Sequence, residues 1–247
     1  MSDSALPTVV PIQAGLSRYA ALAAALRARV VAGEWPPGSA LPAEQMLAAE
    51  HSVALGTLRR ALELMADQGL IERIHGRGTF VRAGLAGATM MRFFRFGAGT
   101  GEVPASRIVS RQQGVATADV ARRLGLARGD VALRLQRVRS LDGQACIFED
   151  IWLPLPLFSA LADSDTSDWG DLLYPLYAER CAVHIHRAVD EIGFAAVTTR
   201  QARHLGLAAG HPCARVNRSA YDLSGHCVEV RLTCGDAHAF NYTVTIT

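Results

Sequence analysis

Apolar residues recur at Tyr19, Leu22, Ala23, Leu26 and Val30, the i, i+3, i+4 spacing of a helix with one buried face, and the pattern stops at Gly33 ahead of Pro36-Pro37-Gly38. This predicts one amphipathic helix and a turn. Pro42 stands where a first helical turn tolerates proline and Glu44 at the favourable end of the helix dipole, so Met46, Leu47 and Glu50 carry a second, short helix that breaks at His51-Ser52. A third helix is predicted over residues 53–68. It turns Leu58, Ala61, Leu62 and Met65 inward, presents Leu55, Gly56, Arg59, Arg60 and Glu63 outward, and closes at Gly69, a natural C-cap. Beyond Gly69 the period shortens to that of strands, over residues 70–74 and 79–82, joined through His75-Gly76-Arg77-Gly78. Three helices and then a hairpin with an arginine at its tip is the order of a winged helix-turn-helix.

The C-terminal half repeats itself. The run TADVARRLGLARGDVALRLQRVRSLDGQACIFED from Thr117 is echoed by TTRQARHLGLAAGHPCARVNRSAYDLSGHCVEV from Thr198, Gly125 recurring as Gly206, 81 positions on. Each copy reads as a helix of about two turns ending at Leu-Gly-Leu, a strand, a turn at Asp142-Gly143 or Ser224-Gly225, and a returning strand. Two such units predict a shared antiparallel sheet with helices on one side, an α+β domain. Between the copies, residues 172–180 predict a further helix, and residues 183–194 a strand pair or one long strand. The organisation expected is a winged helix-turn-helix over 14–82, a Gly- and Ala-rich linker over 83–103, and an α+β domain over 104–247. The linker holds a basic-aromatic patch, Arg92-Phe93-Phe94-Arg95-Phe96, read as hydrophobic docking rather than as a platform for stacking bases.

Composition narrows the class without naming it. At 247 residues, 50% hydrophobic and 19% charged with a net charge of +2, the chain has the make-up of a two-domain globular protein rather than of a polyelectrolyte. All 25 basic residues are arginine, which favours forked contacts to phosphate, carboxylate or guanine. No apolar run approaches the length that spans a bilayer, and the opening residues lack the basic and apolar regions of a signal peptide, so a cytoplasmic protein is expected. The five cysteines form no C-x-x-C pair and read as reduced, mostly buried thiols.

The segment from Tyr19 to Val81 closely resembles the DNA-binding domain of the GntR family of transcription regulators, above all in GEWPPGSALPAEQMLAAE, GTLRRAL and GLIERIHGRGTFV. In that family a basic residue early in the second helix, a Ser/Thr-Arg pair opening the recognition helix, an Arg one turn later and the wing glycine contact DNA. The resemblance implies a DNA-reading set of Gln45, Ala54, Leu55, Thr57, Arg59, Arg60, Gly76 and Arg77, acting as a homodimer on an inverted-repeat operator. Two cationic contacts usual in the family are replaced, by Gln45 and by Ala54-Leu55, so the operator and the salt dependence are expected to differ. The second half resembles the UTRA ligand-sensing domain of the HutC subfamily, similar in fold to chorismate lyase. That resemblance rests on Arg137-Val-Arg139 before Leu141-Asp142-Gly143, Glu149 before Trp152-Leu153-Pro154, and Arg218-Ser-Ala-Tyr221-Asp222 ahead of Val228-Glu229. It implies an effector pocket lined by Arg137, Arg139, Glu149 and Glu229, with Arg218 in the second repeat as a further candidate. Leu172 stands where sugar-phosphate sensors commonly carry a serine, which disfavours a phosphorylated sugar.

Strand periodicity alone puts Val131, Leu133, Leu135, Arg137 and Arg139 on one face, an apolar face running into two guanidinium groups. Buried without partners they would be costly, so they reach water, pair with carboxylates or meet a ligand anion. The geometry by itself leaves these open; the resemblance to the UTRA pocket tips the reading to a small anionic effector, with no metal or other cofactor expected. An ideal two-residue hairpin at Asp142-Gly143 sets Glu149 opposite Gln136, on the wrong face, unless a bulge re-aims it. The rival readings are an enzyme with a lyase-like domain, for which no Ser-His-Asp or Cys-His order is compelling, and a pure interaction module. His184-x-His186, on one face of the expected strand, lacks a third metal ligand at recognisable spacing.

Overall fold

The computed structural model describes residues 17–82, 94–96 and 103–242, and the chain divides into two units, Met1–Gly84 and Leu85–Thr247. In the first, α1 (Arg18–Val31), α2 (Glu44–Glu50) and α3 (Leu55–Asp67) precede a hairpin of β1 (Ile71–Ile74) and β2 (Gly78–Val81). The helices converge because their apolar stripes do: Leu22, Leu26 and Val30 meet Leu47 and Leu58, Ala61, Leu62 and Met65, and Leu70, Ile71 and Val81 close the core from the hairpin. Each large aliphatic side chain buried here contributes roughly 1.5–3 kcal/mol. Helix α3 stops where Gly69 turns to φ +73° and its N–H reaches the carbonyl of Ala66 at 2.8 Å. The hairpin gains a third backbone segment that the periodicity did not announce. Leu41 N donates to Thr79 O at 2.8 Å, and Val81 N to Ser39 O at 2.9 Å, so residues 38–41 lie along β2.

In the second unit the strands are β3 (Phe94–Phe96), β4 (Ala105–Val115), β5 (Val131–Leu141), β6 (Gln144–Pro154), β7 (Arg187–Ala196), β8 (Pro212–Tyr221), β9 (Cys227–Asp236) and β10 (Phe240–Tyr242). The helices are α4 (Ala118–Leu124), α5 (Leu155–Ala162), α6 (Leu173–Cys181) and α7 (Thr199–Leu205). Six strands form one antiparallel sheet in the order β4-β5-β6-β9-β8-β7. The sequence repeat is thus a structural one: β4-α4-β5-β6 and β7-α7-β8-β9 meet at the central pair β6-β9, with β4 and β7 as the two edges. Helices α4 and α7 begin at Thr117 and Thr198, whose side chains accept from the helix N–H groups, and end at Gly125 and Gly206, both at φ +68°.

Helices cover both faces of the sheet rather than one. Leu133, Leu135, Ile151 and Leu153 pack under α5 and α6 through Phe158, Leu161, Leu173 and Tyr177, while Val138, Phe148, Cys213 and Cys234 pack under α7 through Ala202 and Leu205. Helix α5 escaped the sequence reading because LPLPLFSALA is apolar all round and opens with two prolines, leaving no period to detect. The segment carrying His184 and His186 precedes β7 instead of lying on a strand, so the two imidazoles do not share a strand face. Of the expected linker, the described part is Phe94–Phe96, which pairs with β10, and Val103; Arg92 and Phe93 of the basic-aromatic patch lie outside the described residues.

Candidate functional site

The hairpin β5-β6 decides what faces what. Asp142 and Gly143 both take positive φ, +49° and +75°, the signature of a tight two-residue turn. Uncorrected, that turn would set Glu149 against Gln136. Instead the register slips between Arg139, opposite Ile147, and Ser140, opposite Ala145, leaving Cys146 as the extra residue of a bulge. Arg137 and Glu149 become cross-strand partners, and Gln136 faces Asp150. A matching slip between Ala220 and Tyr221 sets Glu229 opposite Ala220 and Arg231 opposite Arg218.

On the face covered by α5 and α6 this assembles a buried charged cluster. Arg137, Arg139, Glu149, Glu229 and Arg231 are all at most 6% exposed. Arg137 Nε donates to Glu149 Oε2 at 2.5 Å, and Arg231 bridges Glu149 at 3.1 Å and Glu229 Oε2 at 2.6 Å. From α6, Tyr177 Oη donates to Glu229 at 2.8 Å and Tyr174 Oη at 3.2 Å, and the Arg231 guanidinium lies 5.5 Å from the Tyr174 ring centroid. Arg139 donates to the carbonyls of Pro104 at 3.0 Å and Asp171 at 3.4 Å. Arg218 makes a two-pronged pair with Asp190, its neighbour on β7.

The electrostatics follow from burial and partners. Burial pushes the Glu149 carboxyl up, but Arg137, Arg231 and Arg139 together overcome this and hold it well below the usual carboxylate range. Arg139 is lowered to about 10, first by desolvation and then by the neighbouring cations Arg137 and Arg231, against the pull of Glu149. Desolvation, reinforced by Glu229, raises the hydroxyls of Tyr174 and Tyr177 well above the usual phenol range. Three buried guanidinium groups, Arg137, Arg139 and Arg231, thus stand against two buried carboxylates, Glu149 and Glu229. The Asp171 carboxylate, exposed beside the cluster, adds a further pull on Arg139.

All five residues read from the sequence, Arg137, Arg139, Glu149, Arg218 and Glu229, lie on this face, with Arg218 engaged at its edge by Asp190. Arg231, Tyr174 and Tyr177 were missed. Arg231 was accessible to the strand period, two residues after Glu229; the tyrosines, spaced i, i+3 on α6, read as ordinary core. The opposite face carries a depression of about 270 Å³ lined by Arg123, Arg134, Asp150, Trp152, Arg215 and Asn217 among others, and none of the five reaches it.

In the first unit, Gln45 is exposed on α2 and Ala54 sits at the N-cap of α3, which has no side-chain cap and no acidic residue in its first turn. Leu55 and Thr57 are half-buried in that turn. Arg59 is exposed, and its Nε donates to Glu44 at 2.8 Å; Arg73 of β1 reaches the same carboxylate at 3.3 Å. Arg60 turns towards α1, 5.1 Å from the Tyr19 ring centroid. Gly76, at φ +73°, forms the exposed wing tip, with Arg77 beside it 5.7 Å from the Phe80 ring. Glu44, gripping Arg59 and Arg73 together, was read from the sequence only as a helix-dipole residue.

A winged helix-turn-helix with an arginine-bearing recognition helix, joined in one chain to a sheet domain built round a buried polar cluster, is the make-up of a DNA-binding transcription regulator with an effector domain. The chain belongs to the gntR family of bacterial regulatory proteins, in the branch that carries a UTRA domain: the family pattern described as "Bacterial regulatory proteins, gntR family" matches residues 18–81 and that of the UTRA domain residues 99–241. It is 28% identical over 233 residues to the HTH-type transcriptional regulator SmoD of Agrobacterium fabrum, covering 94% of this chain and 97% of that one. It is 26% identical over 215 residues to the probable fructoselysine utilization operon transcriptional repressor of Escherichia coli, covering 86% and 87%. Among solved structures it is similar to PhnF from Mycobacterium smegmatis, with TM-score 0.54, 27% identity and coverage of 92% of this chain and 99% of that one. These relatives fit the HutC subfamily.

Proposed function

We propose that this regulator is a repressor that binds an inverted-repeat operator as a homodimer in the cytoplasm and is released when a small anionic effector occupies the Arg137, Arg139, Glu149 and Glu229 cluster. The observation that carries the effector class is the convergence of three buried guanidinium groups, Arg137, Arg139 and Arg231, on one face, whose forked donors suit an incoming carboxylate or phosphate. The cluster suits binding better than turnover. Glu149 is held ionised and the Tyr174 and Tyr177 hydroxyls protonated, so neither group is poised to move a proton near neutral pH. The relative named for fructoselysine utilization supports a catabolic or transport operon as the target.

DNA contacts are assigned to Gln45, Ala54, Leu55, Thr57, Arg59, Arg60, Gly76 and Arg77. The uncapped start of α3 supports a phosphate contact through backbone N–H groups in place of the family's side-chain cation. A thermal-shift screen of the full chain against organic acids, amino acids, amino sugars and sugar phosphates tests the effector class, since a ligand that binds the folded state raises the melting temperature. Stabilisation by an anion that also lowers operator affinity supports the reading. Stabilisation only by cationic or neutral compounds refutes it. Sedimentation showing a monomer, with a footprint on a single unrepeated half-site, refutes the dimer.

A further inference from the structure

At the far end of the second repeat, three side chains that neither site uses converge on one point. His211 stands just ahead of β8, Asp236 ends β9, and His238 lies in the single 3₁₀ turn Ala237–Ala239 that leads into β10. One ligand atom from each, two imidazole nitrogens and a carboxylate oxygen, lies within 4.8 Å of the other two. The His211 Nε2 to Asp236 Oδ1 distance is 2.8 Å, and the two imidazole rings stand 5.4 Å apart at 77°. The frame beneath them is fixed. His211 O accepts from Val197 N at 2.9 Å, His211 N donates to Ala208 O at 3.1 Å, and Asp236 Oδ1 caps the 3₁₀ turn through His238 N at 2.9 Å.

We propose that His211, Asp236 and His238 bind a divalent transition metal of the zinc class. Two imidazoles and one carboxylate form the mixed nitrogen and oxygen donor set that zinc, cobalt and nickel accept, and that magnesium or calcium, which want oxygen, do not. With metal-ligand bonds of about 2.0–2.2 Å, tetrahedral donors sit about 3.4 Å apart. A spread of at most 4.8 Å leaves little more than an ångström to close. His211 and Asp236 have side chains 25% and 33% exposed and His238 is exposed, so an ion enters from solvent and keeps water in its fourth position. The competing account is a histidine-aspartate hydrogen bond beside a capped turn. That account uses His211 and Asp236 fully and leaves the His238 imidazole, among the described residues, only its packing on the His211 ring and its charge interaction with Asp236.

The location gives the site a consequence. His238 is two residues before Phe240, where β10 begins, and β10 pairs with β3 through Phe240–Phe96 and Tyr242–Phe94. In sequence, strand β3 lies between the winged helix and β4. A bound metal ties the start of β8, the end of β9 and the root of β10 together, and so stiffens the strand against which β3 lies.

The test uses the full chain without a histidine tag, stripped by chelator, with zinc chloride titrated in a calorimeter and cobalt chloride followed by visible absorption. One zinc per chain, a cobalt spectrum without thiolate charge-transfer bands, and slower amide exchange at Asn241 are expected. His238→Ala should lower zinc affinity by at least about tenfold, the lower end of what even an outer partner of a metal ligand is worth, while melting like the metal-free parent. His211→Ala should also lose binding, and recovery of cobalt binding in His211→Cys, with a thiolate charge-transfer band that the parent lacks, would identify the coordinating position. No zinc binding, undiminished binding in His238→Ala, a thiolate band in the parent or equal affinity for magnesium overturns the proposal.

Discussion

Glu149→Gln tests the physical basis of the effector face most directly. Glu149 is 4% exposed and accepts from Arg137 at 2.5 Å and from Arg231 at 3.1 Å, so it is the anion that holds two buried guanidinium groups together. With charge centres about 4 Å apart, each attraction is worth about 4 kcal/mol at an effective dielectric of about 20. Relief of the desolvation of Glu149 itself offsets much of this. What remains is the cost of leaving buried cations underpaired, about 3–5 kcal/mol for removal of one partner of a buried pair. At roughly 2–4 °C per kcal/mol for a domain of this size, the UTRA-domain transition should fall by roughly 6–20 °C. Differential scanning calorimetry at neutral pH measures it. The folded carboxyl is depressed below its unfolded value, so its contribution is complete above the unfolded pKa and is lost only as pH falls from about 4.3 towards the lower folded value. The gap between wild type and Glu149→Gln should therefore stay constant from pH 7 to about pH 5 and narrow in stronger acid. A variant melting within about 2 °C of wild type at pH 7 would refute the account of a cluster held by buried charge.

Further outcomes follow from the same geometry. Arg139→Gln removes one guanidinium of the cluster while keeping an amide donor near the carbonyls of Pro104 and Asp171, so operator binding should survive and release by the anionic effector should fail; release at unchanged effector concentration would move the pocket elsewhere. Arg59→Ala and Arg77→Ala should each weaken operator binding by about 1–3 kcal/mol if the side chain makes a forked base contact, and wild-type affinity in both at fixed salt would withdraw these assignments. Glu44→Gln frees Arg59 and Arg73 from a shared carboxylate and should tighten non-specific DNA binding, steepening the dependence of log K on log salt by about 1–2; an unchanged slope would mean that neither guanidinium meets phosphate.

Sequence pattern alone makes the winged helix almost completely legible, because its helices carry one-sided apolar stripes and its turns carry glycines at Gly69, Gly76 and Gly78, which local chemistry makes readable. It also determined that the second half is two copies of one unit, and that Arg137 and Arg139 extend an apolar strand face. The partners of those arginines were not legible. Glu149 comes to face Arg137 only through the bulge at Cys146, a single-residue slip that reverses which face every later side chain of β6 presents and that alternation cannot foretell. The third cation, Arg231, and the hydroxyls of Tyr174 and Tyr177 joined the cluster because antiparallel pairing of β6 with β9, and packing of α6 across the sheet, bring together residues up to 82 positions apart. Local periodicity fixes which side of an element a residue occupies. Which residue it then meets across a sheet is set by register and topology, and those belong to the tertiary structure.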